Sequence, residues 1–182
     1  AKKYVVDSPQ MELSLAPYPT TVLGVGGISP PWAIRSEYWA QVFAKLHVFR
    51  LCAEHAAFLD ADAFLMDKRA DSIFDRCTTT LCATRDNWWT EDGGAMINVG
   101  VMVARPDQRV FEPALEALQH RSHEAHLPEQ VFFSEFFNVS TRPATSMPKS
   151  SHGWLSPDFN SCVDRGSDAA IIHMCSDDKE TL

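Results

Sequence analysis

The sequence predicts a layered α/β domain, and three observations carry that expectation. Stretches with three- and four-residue apolar spacing alternate with short continuous apolar runs, and no repeat or second domain boundary breaks residues 1–182. A chain of 182 residues is long enough for one domain with a sizeable core. Hydrophobic residues make up 45% and charged residues 22%, the balance of an ordinary globular protein.

Each element can be justified in order. Tyr4-Val5-Val6 reads as a short strand, and residues 7–31, rich in Pro, Gly and Ser, read as loop. Gly24-Val25-Gly26-Gly27 has the composition of a phosphate loop. It neither follows a clear strand nor opens a helix, so it earns no such role. Ser36 suits an N-cap, and Trp39, Val42, Phe43, Leu46 and Phe49 then mark one apolar helical face, ending near Glu54-His55. Residues 56–59 form an apolar run of the kind found in strands buried on both faces. Asp60-Ala61-Asp62 interrupts that run and Ala63-Phe64-Leu65-Met66 resumes it. Residues 81–83 and 99–103 read as further strands, separated by a polar, Trp88-Trp89-bearing loop over 86–94. Helices are expected over 110–119 and from Pro128 to Phe137, the proline suiting a first turn. A loop-rich stretch over 138–167 leads to a last buried strand over 169–172, ending at His173.

A net charge of -8, with no Lys/Arg cluster, argues against partners such as nucleic acid or an anionic membrane. No apolar run has the length of a membrane segment. The five cysteines (Cys52, Cys77, Cys82, Cys162, Cys175) form no CxxC pair and read as reduced thiols of a cytoplasmic protein. The first residue is Ala1, which reads as a fragment.

Two features invite chemistry. Asp60 and Asp62 stand one residue apart just past an apolar strand, where their hard oxygens can converge on Mg²⁺ or Mn²⁺ and leave positions for phosphate. Alone, the pair fits a strand-end turn equally well, but a buried carboxylate without a partner is costly, which favours a cation. His173 follows Ile171-Ile172 at a strand end, where α/β sheets present ligand groups, and Lys179 follows six positions later. An acidic chain that binds a nucleotide diphosphate needs such cationic help. His120, His123 and His126, near a helix end, read as solvated, and Trp88-Trp89 as either a sugar platform or a loop anchor.

Taken in order, these motifs resemble glycosyltransferase family 8, the glycogenin-like retaining transferases. The order runs from a Lys45-bearing helix to Asp60-Ala61-Asp62, then Asn98-Val99-Gly100, then Glu129-Gln130, then His173 and Lys179. The resemblance spans about Tyr38 to Lys179. It implies a GT-A-like, Rossmann-like fold with a mixed, mostly parallel central sheet, and a single domain over 1–182 whose first β-α-β unit is missing. It further implies a UDP-sugar donor, an unidentified acceptor, a homodimer as one assembly and Mn²⁺ or Mg²⁺ as cofactor. By this resemblance Asp60, Asp62 and His173 ligate the metal. Asp60, Lys45, Asp86, Asn98 and Lys179 contact the donor, and Glu129 and Gln130 flank the reacting carbon. Residues 155–160 match a Leu-Pro-x-x-Tyr-Asn segment, with Phe159 at the tyrosine.

The departures are also specific. Val99 stands where the family has serine, Glu129 where it has aspartate, and Glu180-Thr181 where it has Pro-Trp. A degenerate transferase domain acting as a binding module is therefore the competing expectation. An Asp-x-Asp phosphatase is disfavoured, because Phe64 occupies the position that usually carries Thr or Val.

Overall fold

A computed structural model describes residues 27–28, 30, 42–89, 95–120, 128–137, 152–162 and 168–173. The expectations for residues 1–26, Ser36, Trp39, His123, His126 and Lys179 lie outside them.

The apolar spacing gives the first helix a buried face, but the helix ends at Arg50 and not near Glu54-His55. Val42–Arg50 winds as a 3₁₀ helix that buries Phe43, Leu46, Val48 and Phe49 on one side, together with Lys45. Strand β1 (Ala56–Leu59) follows, then the Asp60-Ala61-Asp62 turn, then β2 (Ala63–Leu65). A second 3₁₀ helix (Lys68–Arg76) begins at Asp67, whose carboxylate accepts the Arg69 N–H at 2.7 Å. Strands β3 (Leu81–Trp89) and β4 (Ala95–Ala104) come next, then helices α1 (Gln108–His120) and α2 (Pro128–Phe136). The chain closes with β5 (His152–Trp154), a 3₁₀ turn (Pro157–Phe159), β6 (Ser161–Cys162) and β7 (Ile171–His173).

The strands form a four-stranded sheet in the order β1-β4-β3-β5 and a three-stranded sheet in the order β2-β7-β6. Both sheets are mixed. Among the described residues β1–β4, β3–β4 and β2–β7 are antiparallel while β3–β5 and β6–β7 are parallel, so the sheet is not mostly parallel. The cause lies in the connection, because residues 90–94 are too few for a crossover and force β3 and β4 to run antiparallel. Continuous apolar runs fit either direction when both faces of a sheet are covered. The stretch over 86–94 is also less of a loop than its polarity suggested, since β3 continues through Trp89, which pairs with Ala95. Aromatic residues favour extended backbone.

Two apolar layers cover the larger sheet. On one side Phe43, Leu46 and Phe49 pack with Phe111 and Leu118 of α1 and Phe132, Phe133, Phe136 and Phe137 of and beside α2. On the other, Val101 and Val103 meet Ile73, Leu155, Phe159 and Ile171. The β4 residues facing the helices are Ile97, Val99, Met102 and Ala104, so the two-residue alternation slips between Val99 and Met102. The pairing slips at the same place. Thr84 opposes Asn98 but Ala83 opposes Met102, leaving residues 99–101 bulged out of the β3 pairing.

Two further expectations are corrected. Phe64, Leu65 and Met66 are 51%, 57% and 51% exposed, so the resumed apolar run is not a buried strand. It forms the edge of the small sheet. Cys77 and Cys82 are joined in a disulfide, replacing the reading of reduced thiols, while Cys52 is free and exposed. Six consecutive residues bring the two sulfurs together across the end of a helix and the start of β3, a spacing wider than CxxC.

Candidate metal centre

The Asp60-Ala61-Asp62 turn links a strand of the larger sheet to a strand of the smaller, so its carboxylates sit at the seam between them. Two backbone bonds shape it. The Asp60 N–H donates to the Gly100 carbonyl at 2.7 Å, and the Ala63 N–H donates to the Asp60 carbonyl at 3.0 Å. The first bond extends the β1–β4 register one step beyond the Leu59–Val101 pair. His173 arrives from β7, where Ala63 of β2 is its register partner.

Asp60, Asp62 and His173 each place one ligand atom so that all lie within 4.8 Å of one another. His173 Nε2 is 3.2 Å from Asp62 Oδ1 and 3.9 Å from Asp60 Oδ2. Ligands about 2.1 Å from an octahedral cation are about 3.0 Å apart when adjacent and about 4.2 Å when opposed. The two separations from His173 Nε2 lie between those values. An imidazole nitrogen and two carboxylates make a donor set that can hold a divalent cation. His173 is buried and both aspartates are partly open, so the ring forms the floor and the carboxylates the rim.

Gly100 makes room for that ring. A Cβ there would stand 2.0 Å from His173 Cε1 and 2.7 Å from Nε2. The residue is a site component that sequence reading missed, although its place inside a buried β run was the available signal. Asn160 was also underrated. Its Oδ1 lies 3.0 Å from His173 Nδ1, and its Nδ2 donates to Asn98 Oδ1 at 2.9 Å and to Thr84 Oγ1 at 3.0 Å.

The other expected site residues divide clearly. Lys45 is brought to the triad, with Nζ 3.0 Å from Asp60 Oδ2 and 5.4 Å from the centre of the Phe58 ring. The same ammonium lies 3.9 Å from Glu129 Oε1. Burial pushes the Glu129 carboxyl above its ordinary range, the Lys45 ammonium opposes that shift, and the Asp60 charge reinforces it. Glu129 Oε2 is buried with no hydrogen-bond partner among the described residues. Gln130 is buried beside it on α2, and its carbonyl accepts the Ser134 hydroxyl, which in turn accepts the Ile97 N–H of β4. Asn98 Nδ2 donates to Asp86 Oδ2 at 3.1 Å, so these two side chains face each other. Lys179 lies outside the described residues.

Among the described residues no helix is long and apolar enough to cross a membrane. No protein-family model and no curated protein matches the chain by sequence. By structure it is similar to a crystal structure of a glycosyltransferase involved in the glycosylation of the major capsid of PBCV-1. The TM-score is 0.51 at 13% sequence identity, covering 92% of this chain and 82% of that one. The chain has a glycosyltransferase-like α/β fold that presents an Asp-Asp-His group able to hold a metal ion.

Proposed function

We propose that this chain is a retaining, metal-dependent glycosyltransferase of the family 8 kind, moving a hexose from a UDP-sugar to an acceptor. The observation that carries the reading is the convergence of His173 Nε2 with the Asp60 and Asp62 carboxylates on one point at the sheet seam. The fold likeness supports a transferase, and with it a nucleotide-sugar donor.

In this reading Asp60, Asp62 and His173 hold Mn²⁺ or Mg²⁺, which supplies charge neutralisation for a diphosphate leaving group. Lys45 orients Asp60 through its 3.0 Å contact. Glu129, buried behind Lys45, and Gln130 are the groups assigned to the developing positive charge at the sugar carbon. Asp86 and Asn98 bind sugar hydroxyls, and Lys179 the diphosphate. Donor and acceptor are the partners, with the chain acting alone or as a homodimer.

The test is UDP-sugar hydrolysis by the protein, with and without Mn²⁺, beside Asp62→Ala. Activity should require the metal and fall at least about 100-fold in the variant. Turnover indifferent to both would remove the proposal.

A further inference from the structure

Amide side chains can face either way, so a chain of them carries information only where it meets groups that cannot reverse. Such groups stand at both ends of Asn98. The Gly100 backbone N–H, which can only donate, lies 3.0 Å from Asn98 Oδ1. The Asp86 carboxylate, which when ionised can only accept, lies 3.1 Å from Asn98 Nδ2. The Asn98 amide is therefore fixed. Its Oδ1 also lies 2.9 Å from Asn160, which must turn its Nδ2 toward it, and the second Nδ2 proton goes to Thr84 Oγ1 at 3.0 Å. Reversing Asn160 would set two amide oxygens against each other in a buried place, so its Oδ1 faces His173 Nδ1 at 3.0 Å.

We propose that Asn160, held by Asn98 and Asp86, is a positioning residue that keeps His173 in the Nδ1–H tautomer and turns its Nε2 lone pair toward Asp60 and Asp62. The proposal rests on the reading of the triad as a cation site and adds to it the device that prepares the imidazole. An oxygen opposite Nδ1 selects the proton-bearing form of that nitrogen and fixes the ring plane. Gly100 serves both ends of the device, since its N–H starts the relay and its missing Cβ admits the ring. The relay also gives Asp86 and Asn98 a role within the protein that is separate from any contact with sugar.

Ring-nitrogen NMR of the metal-free chain, at a pH about two units above the ordinary histidine value, tests this directly. The His173 signal is identified by its loss in His173→Gln. Expected is a proton on Nδ1 in the wild type, while Nε2, 3.2 Å from Asp62 Oδ1, is free to carry a second proton until a cation replaces it. Asn160→Leu should move the proton to Nε2 and weaken Mn²⁺ binding by about 10- to 100-fold. Asn160→Asp, which keeps an oxygen opposite Nδ1, should restore the wild-type tautomer. A wild-type His173 with no proton on Nδ1 overturns the proposal, and that measurement stands even where the leucine variant does not fold. A folded Asn160→Leu with wild-type tautomer and affinity overturns it too. A wild-type chain with the Nδ1–H form that takes up no Mn²⁺ upholds the relay and refutes the metal reading.

Discussion

The two halves of the candidate metal centre are built in opposite ways. The carboxylate half is a short turn at the seam of two sheets, its side chains partly open and Asp60 paired with Lys45. The imidazole half is buried, threaded between strands, and held by a sequence of bonds running from His173 to Asp86. The first half supplies charge and tolerates movement. The second supplies direction and does not. Division of this kind lets a site accept and release an anionic ligand at its rim while its floor stays fixed.

The comparison is tested most severely at Gly100. Gly100→Ala drives a methyl into the imidazole at a point where the backbone is tied on both sides. It should cost about 3 kcal/mol of stability by chemical denaturation, in metal-free protein as much as in its presence. Asp62→Asn attacks the other half and should behave differently. The metal-free variant should unfold at the wild-type denaturant concentration or above it. The stabilisation by Mn²⁺ at about 100 times its dissociation constant, about 2.7 kcal/mol, should vanish. Equal metal-free losses in the two variants would erase the distinction between the halves. The disulfide belongs to neither, and Cys77→Ser should cost about 2 kcal/mol while leaving the Mn²⁺ shift intact.

Glu129 gives the smallest effect and a sign. Burial raises its carboxyl in the folded protein above the ordinary 4.5. Its contribution to stability is therefore complete below that pH and is lost as pH rises toward the folded value. Replacement by glutamine removes the dependence. Denaturation curves should show Glu129→Gln gaining on the wild type as pH increases from below 4.5. A gap that narrows instead would mean that the Lys45 ammonium outweighs desolvation.

Much of the carboxylate half was legible, because Asp60-Ala61-Asp62 interrupts an apolar run and such an interruption needs a reason. His173 was legible as a strand end. The floor was not. Asn160 and Gly100 lie 13 and 73 positions from His173 in the chain and meet it only in the folded protein, Asn160 from just before β6 and Gly100 from the other sheet. The direction of the sheet was lost for a related reason, since apolar runs report burial and not orientation. Phe64, Leu65 and Met66 show the converse, apolar residues that sequence pattern assigns to the interior and topology leaves at an edge.

The aspartate turn joins β1 to β2, and β2 and β7 belong to the small sheet while Gly100 belongs to the large one. An ion gripped from both sides would act as a rivet across that joint. Chelators should then loosen β2 and β7 before the helical layer, and amide exchange at Phe64 and Ile172 should quicken on metal removal while Phe133 stays slow.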